Sequence, residues 1–137
     1  MYVANTGVTI KIFDPLMENK HTLVLGASDN PSRYSYLAVN RLRAKGYRVS
    51  AIGKRKTKVS DVTVDTEKKY MEDIDTVSIY LNRENQKEYY NYILSLKPRR
   101  IIFNPGAENP ELAALAADNG IRPVEACTLV LLSTGQY

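Results

Sequence analysis

A short apolar run that breaks into small residues is the feature that most restricts how this sequence folds. The stretch 21–36 reads HTLVLGASDNPSRYSY. We predict a buried strand at Thr22–Gly26 and a helix from about Ser32 to Lys45. Small residues allow the backbone to approach a ligand closely, and the unpaired N–H groups and dipole of a helix N-terminus favour an anion. The stretch therefore predicts a phosphate-binding turn between a strand and a helix.

The rest of the chain repeats this alternation of short strands and helices. Further strands are predicted at Tyr47–Ile52, Thr76–Leu81, Arg100–Phe103 and Ile121–Val124. Helices are predicted at about Glu84–Leu96, Pro110–Asn119 and Cys127–Leu132. Short strands that alternate with helices form parallel sheets. We therefore predict an α/β fold, a Rossmann-like three-layer α/β/α sandwich with a mostly parallel five-stranded sheet.

Four segments fit the alternation less well. Residues 1–19 are interpreted as an N-terminal extension with a candidate edge strand at Val8–Phe13, ahead of a single domain at 20–137. A polar loop is expected from Lys54 to Ser60, a short extended segment at Val62–Val64, and a brief helical turn around Thr66–Met71.

Composition restricts the class of protein. The chain has 137 residues, the size of one domain, and its net charge of +4 suits an anionic ligand. The basic residues form no stripe that would indicate nucleic acid, and no apolar run is long enough for a membrane span. A single cysteine, Cys127, excludes an internal disulfide and suggests the cytoplasm. One histidine and one cysteine predict no metal site.

Ligands of doubly wound sheets bind beyond the carboxyl ends of the strands. The segments that follow the predicted strands are Gly26–Ser28, Gly53–Arg55, Leu81–Arg83, Asn104–Gly106 and Glu125–Cys127. We expect these segments to meet at one edge of the sheet and to form the binding site.

A dinucleotide is a poor match for the first turn. The G-x-G-x-x-G pattern is not met, because Ser28 replaces the second glycine and Tyr34 or Ser35 lies near the place of the third. The second strand ends in the cations 54–56, where an NAD site has an acidic residue. Cations there suit a ribose phosphate, as in coenzyme A (CoA) or NADP, although a solvated basic loop explains them as well.

Three motifs together resemble a small stand-alone CoA-binding domain family. GASDNPSRYS at 26–35 matches its G-A-S-x-x-P-x-R-x-S turn, NPGAEN at 104–109 is similar to its second signature, and EACT at 125–128 matches its closing segment. The resemblance covers 21–137 and extends to the CoA-binding domain of the succinyl-CoA synthetase alpha subunit. It implies binding of CoA or an acyl-CoA, and not that enzyme's reaction, since its phosphohistidine domain has no counterpart in this sequence.

The resemblance also implies roles for individual residues. The segment Gly26–Ser28 would line the pyrophosphate, and Arg33 would add a charge-assisted contact. Lys54 would face the ribose phosphate or adenine, although the family usually has Asn-Pro there, and Leu81 would border adenine or pantetheine. The residues interpreted as ligand-binding are Gly26, Ala27, Ser28, Pro31, Arg33, Tyr34, Ser35, Lys54, Leu81, Asn104, Pro105, Gly106, Glu108 and Cys127.

Few residues of this sequence suggest catalysis. His21 lies at the start of a strand, at the wrong edge for a site. Cys127 is either a buried small apolar residue or a thiol near the thiol end of CoA that can form a mixed disulfide. Glu108 and Glu125 could act as acid and base, but we favour roles in capping or in bonding main-chain groups.

Two function classes follow. The first, which we favour, is a non-catalytic module that binds CoA or acyl-CoA. The alternative is an enzyme on the same fold, either NADP-dependent or requiring a partner for acyl-CoA chemistry. A small-molecule nucleotide is the expected ligand, and a homodimer or a partner subunit is left open.

Overall fold

The computed structural model describes residues 20–137, so the predicted extension and its edge strand lie outside the described residues. In chain order, the elements are β1 (His21–Ala27), α1 (Tyr34–Ala44), β2 (Val49–Gly53), β3 (Thr57–Val59), β4 (Val62–Asp65), β5 (Ile74–Ile79), α2 (Arg83–Gln86), a 3-10 turn (Lys87–Tyr89), α3 (Tyr90–Leu96), β6 (Arg100–Phe103), α4 (Pro110–Asp118), β7 (Arg122–Glu125) and α5 (Thr128–Ser133).

The strands form one sheet in the order β3-β4-β2-β1-β5-β6-β7. All neighbours are parallel except β3, which runs antiparallel to β4. The chain leaves β1 toward β2 on one side and reaches β5 on the other, so the switch point of strand order lies between β1 and β5. The predicted Rossmann-like α/β fold is confirmed, with seven strands instead of five.

The two additional strands come from segments expected to be a loop and a short extended piece. β3 buries only Val59 and turns Lys58 outward, which leaves no apolar alternation to detect. Ser60, in the left-handed region at φ 57°, reverses the chain into β4. β4 then pairs with β2 inside the sheet. The helical turn expected at 66–71 is wrong, because this segment contains only bends and irregular chain.

The helices follow the predictions with shifted ends. The predicted helix at 84–96 is a helical path that tightens into a 3-10 turn between α2 and α3. Lys97, in the left-handed region, ends α3 before Pro98. No helix within residues 20–137 combines the length and the apolar character that crossing a membrane requires.

Apolar side chains fill both faces of the sheet. Successive residues of a strand point to opposite faces, so Leu23 and Leu25 join one buried cluster and Val24 joins the other. The first cluster includes Ile93 from α3, and the second includes Leu42 from α1. Continuous burial along β1 is typical of a parallel strand that is covered on both faces.

Internal contacts hold Tyr137 at the amino edge of the sheet. Its hydroxyl shares a hydrogen bond with Thr22, and the guanidinium of Arg100 lies 4.4 Å from its ring centre. Arg100 also donates to Thr76 Oγ1 at 2.8 Å and to the carbonyl oxygen of Tyr137 at 2.9 Å. The Nζ of Lys20 donates to the same carbonyl at 3.2 Å. Residue 137 is therefore anchored beside residue 20.

Candidate functional site

Gly26 begins the turn at the end of β1, and its conformation disfavours every other residue. Its φ is +94°, and a Cβ there would lie 3.1 Å from the carbonyl carbon of Tyr80 and from Cδ2 of Leu81. The glycine therefore lets the end of β1 lie directly against the end of β5. This close approach joins the first predicted turn to Leu81 at the switch point.

Asn30 gives the turn a fixed shape. Its side-chain oxygen accepts hydrogen bonds from the N–H of Ser32 at 3.0 Å and from the Ser32 hydroxyl at 2.8 Å. The carbonyl oxygen of Asn30 accepts from the N–H of Arg33 at 3.0 Å. Ser28 Oγ accepts from the N–H of Asn30, also at 3.0 Å. These bonds order the turn without using the side chain of Arg33.

The N-terminus of α1 has no side-chain cap. Arg33 stands at the N-cap position, and its side chain makes no capping hydrogen bond. The helix therefore presents unsatisfied N–H groups and a partial positive charge at the carboxyl edge of the sheet. By contrast, Asn109 caps α4 by accepting from the N–H of Leu112 at 3.1 Å.

The predicted residues around this terminus differ in exposure. Pro31, Arg33 and Tyr34 are exposed, and no hydrogen bond or ion pair of the Arg33 side chain occurs within residues 20–137. Ser35 is buried against the core. The side chain of Ser35 is therefore placed to pack beneath α1, whereas that of Arg33 is open to an anion.

An ion pair joins the basic loop after β2 to the first turn. A guanidinium nitrogen of Arg55 lies 2.6 and 2.7 Å from the carboxylate oxygens of Asp29, and the Thr57 hydroxyl donates to the same carboxylate at 2.8 Å. The Thr57 hydroxyl, and after it Arg55, hold the pKa of Asp29 below its ordinary value. Lys54 is exposed and takes no part in this link.

Asn104 and the loop after β6 form the side of the candidate site opposite the first turn, which we call the opposite wall. Asn104 is buried, and its amide nitrogen donates to Ser78 Oγ and to the carbonyl oxygen of Ile79, both at 2.9 Å. Its side-chain oxygen accepts from the N–H of Thr128 at 2.8 Å. Asn104 therefore ties β6 to β5 and to the start of α5, and both N–H groups of its amide bond to the protein itself.

The rest of this wall is exposed. Pro105 and Gly106 face solvent, with Gly106 at a φ of +92°. The N–H of Gly106 donates to Glu108 Oε1 at 3.0 Å. Glu108 thus bonds a main-chain group, which is the role we favoured for it from the sequence.

Tyr80, Leu81 and Cys127 complete the edge. Leu81 and Cys127 are half-buried, and Cys127 stands at the start of α5 without making a capping bond. The Tyr80 hydroxyl is buried and has no hydrogen-bond partner among the described residues. Burial raises the pKa of Tyr80 to about 12, although the nearby hydroxyls of Thr128 and Ser78 partly offset the effect.

His21 lies at the amino edge, as its position in the sequence predicts. Its Nε2 is 2.7 Å from Ser50 Oγ. Two polar recesses open at this edge, with volumes of about 350 and 550 Å³. Cations line both, but Arg43 is engaged by Asp61 and Arg100 by Tyr137. The carboxyl edge, where the switch point lies, remains the candidate site.

Four residues that shape this edge were not predicted from the sequence as ligand contacts, namely Asn30, Tyr80, Gln86 and Asn109. Asn30 and Asn109 carry a local signal, because each precedes a proline and Asn-Pro sequences start turns. Among residues 20–137, no three side chains of the His, Cys, Asp and Glu types come together to hold a metal ion.

Comparisons with known proteins agree with this fold. A family model described as a CoA binding domain matches residues 20–133. A crystal structure of an uncharacterized protein superposes with a TM-score of 0.84 at 49% identity, over 86% of this chain and 98% of that chain. A protein from Thermus thermophilus superposes with a TM-score of 0.77 at 21% identity, over 86% of this chain and 90% of that one.

A larger protein contains the same fold. The dinucleotide-forming acetyl-coenzyme A synthetase 1 of Ca. Korarchaeum cryptofilum, in complex with phosphate and ADP, superposes with a TM-score of 0.64 at 16% identity. The match covers 80% of this chain and 26% of that chain, and at this identity it shows a shared fold.

Proposed function

Because this chain belongs to the CoA-binding domain family, we propose that it binds CoA or an acyl-CoA as a small non-catalytic module. One observation carries the proposal: within residues 20–137, no side chain caps the N-terminus of α1 and the Arg33 side chain has no partner, and both lie at the carboxyl edge beside the turn Gly26–Ser28. An anion at this point would meet main-chain N–H groups, a helix dipole and a guanidinium together.

The charges at this edge suit the phosphates of CoA. The pyrophosphate would bind at the first turn, where Ser28 and Arg33 supply polar contacts. Lys54 would meet the ribose phosphate. Because Arg55 is held by Asp29, the loop that carries Lys54 is already attached to the first turn before a ligand arrives. Such preorganisation reduces the cost of ordering the loop on binding.

The same residues support a role without catalysis. Glu108 is one of the two acidic residues that could act in acid–base catalysis, but its carboxylate accepts a hydrogen bond from the N–H of Gly106. Cys127 would need a neighbouring base to act as a nucleophile, and the only histidine in the sequence, His21, lies at the opposite edge. A binding module therefore fits this edge better than an acyl-transfer site.

The first experiment is a calorimetric titration with CoA, dephospho-CoA, NADP and NAD. We expect micromolar binding of CoA, equivalent to about −8 kcal/mol, and weaker binding of dephospho-CoA, which lacks the ribose phosphate. Tighter binding of NADP than of CoA would favour the enzyme alternative. No heat with CoA would contradict the proposal.

Paired lysine variants locate the ribose phosphate. Lys54→Ala should weaken CoA binding and leave dephospho-CoA binding unchanged. Lys58→Ala is the matched control, because Lys58 is also exposed but lies within β3. Equal losses in the two lysine variants would mean that only the overall charge matters.

A further inference from the structure

The buried side chain of Gln86 joins the loop after β5 to the loop after β6. The side chain of Gln86 is fully buried. Its amide nitrogen donates to the carbonyl oxygen of Leu81 at 2.8 Å and to that of Ala107 at 2.7 Å. Leu81 follows β5, and Ala107 lies in the loop after β6. One side chain thus connects the ends of two neighbouring strands through both of its N–H groups.

Asn109 fixes the orientation of this amide. Its Nδ2 donates to Gln86 Oε1 at 2.9 Å and to the hydroxyl of Tyr90 at 2.8 Å. That hydroxyl donates in turn to Glu111 Oε1 at 2.9 Å. A flipped Gln86 amide would place N–H against N–H and carbonyl against carbonyl, so the network admits one orientation. We call Gln86 and Asn109 the amide clamp.

We propose that Gln86 is a positioning residue that holds the loops after β5 and β6 at the separation needed to bind CoA. This inference rests on the proposed function. The clamp touches the main chain of Leu81, an expected ligand contact, and of Ala107, which follows the expected contact Gly106. Gln86 would act only through these loops, since no part of it is exposed to a ligand.

The position of the clamp explains why one residue has this effect. Leu81 and Ala107 lie beyond the ends of β5 and β6, where the ladder between the strands stops. Their carbonyl oxygens therefore have no strand partner and need another donor when buried. Without Gln86, these two carbonyl oxygens would lose their hydrogen-bond donor, and the distance between the two loops would no longer be fixed.

The test compares two variants of similar severity. Gln86→Met keeps the length of the side chain and removes both N–H donors. Thr76→Val is the control, because Thr76 is also fully buried and accepts from Arg100, but it lies at the amino edge. Affinity for CoA is measured by calorimetry well below the melting temperature of each variant. Exchange of main-chain amide hydrogens is measured in the segments 81–85 and 105–108.

We expect Gln86→Met to weaken CoA binding at least tenfold and to speed exchange in both segments. Thr76→Val should lower the melting temperature, with affinity within twofold of the parent and exchange in these segments unchanged. If both variants lose stability while affinity and local exchange stay unchanged in both, Gln86 is only structural and the inference is wrong.

A milder variant keeps the test decisive if Gln86→Met does not fold. Asn109→Ser retains an oxygen that can cap α4 and removes the amide donor that orients Gln86, so it should loosen the same two segments to a smaller extent. If the parent protein itself binds no CoA, the proposed function fails. The exchange data still test whether the amide clamp holds the two loops. Unchanged exchange in the Gln86 and Asn109 variants refutes this role, and faster exchange supports it.

Discussion

Gly53 lies directly against the carbonyl oxygen of Ala27, so that a Cβ at residue 53 would be 2.2 Å from that oxygen. The pairing of β1 with β2 shifts by one residue between Leu25 and Ala27. The irregularity brings the end of β1 toward β2, and a residue without a side chain accommodates it. Gly53, the last residue of β2, thus leaves room for the end of β1 where the first turn begins.

Replacing Gly53 by alanine should lower the free energy of unfolding by about 1–3 kcal/mol, the usual cost of an added group in a filled space. Gly120→Ala is the comparison, because a Cβ at Gly120 meets no atom within 4 Å and only its φ of +75° opposes the change. Its cost should be about 1–2 kcal/mol, the strain of an L-residue in the left-handed region. Urea unfolding of the two variants measures the difference, and a Gly53 variant as stable as the parent would contradict the close contact.

Asn104→Ala should destabilise the protein by about 2–4 kcal/mol, because it leaves buried partners in β5 and α5 without hydrogen bonds. Asn119→Ala is the control: its amide makes one bond, to the carbonyl of Leu115, in an exposed position. The loss there should stay below about 0.5 kcal/mol. Thermal unfolding followed by circular dichroism distinguishes the two, and similar losses would show that Asn104 is not a structural node.

Stability should fall between pH 7 and pH 5 because of His21. Burial, followed by the charge of Arg48, lowers the pKa of His21 below 6.5, while the Glu72 carbonyl and Asp73 partly oppose the shift. The unfolded chain therefore takes up a proton before the folded one does, so the stability present above pH 6.5 is lost as the pH falls. His21→Gln should flatten this slope. Since the sequence has one histidine, an unchanged slope would rule out His21 as its source.

Arg33→Ala should weaken CoA binding about tenfold or more, since a charge-assisted hydrogen bond contributes roughly 1.5–3 kcal/mol. Its melting temperature should remain close to that of the parent, because the side chain makes no internal bond in the described part of the chain. Arg41→Ala, in the last turn of the same helix, is the control for net charge. If Arg33→Ala unfolds the protein, the arginine is structural and its assignment to the ligand is wrong.

The strands that are buried on both faces were predictable from the sequence. β6 was predicted with its observed ends, and β1 within one residue at each end, because a short apolar run between turn residues has few alternatives. The edge of the sheet beyond β2 was harder to predict, whereas β7 at the other edge was predicted within one residue at each end. β3 and β4 bury only three valines between them, at 59, 62 and 64, and β4 pairs with β2 inside the sheet.

The candidate site was predictable where a turn follows a strand, and not where distant side chains cooperate. Gly26 and Arg33 belong to one local motif. Gln86, in contrast, acts across 21 positions on Ala107, and Asn104 across 24 on Thr128. An amide side chain carries no sequence signal for such contacts, because they depend on how the loops are brought together in three dimensions.

The contact between Lys20 and Tyr137 indicates that this domain can be circularly permuted. These residues are 117 positions apart, and yet the lysine Nζ lies 3.2 Å from the tyrosine carbonyl oxygen. A short linker could therefore join position 137 to position 20, and new chain termini could be placed in the exposed segment 66–70. Such a circular permutant would keep every turn of the carboxyl edge. The same geometry would let the domain sit as an insertion within another chain, which would enter and leave it at one point on its surface.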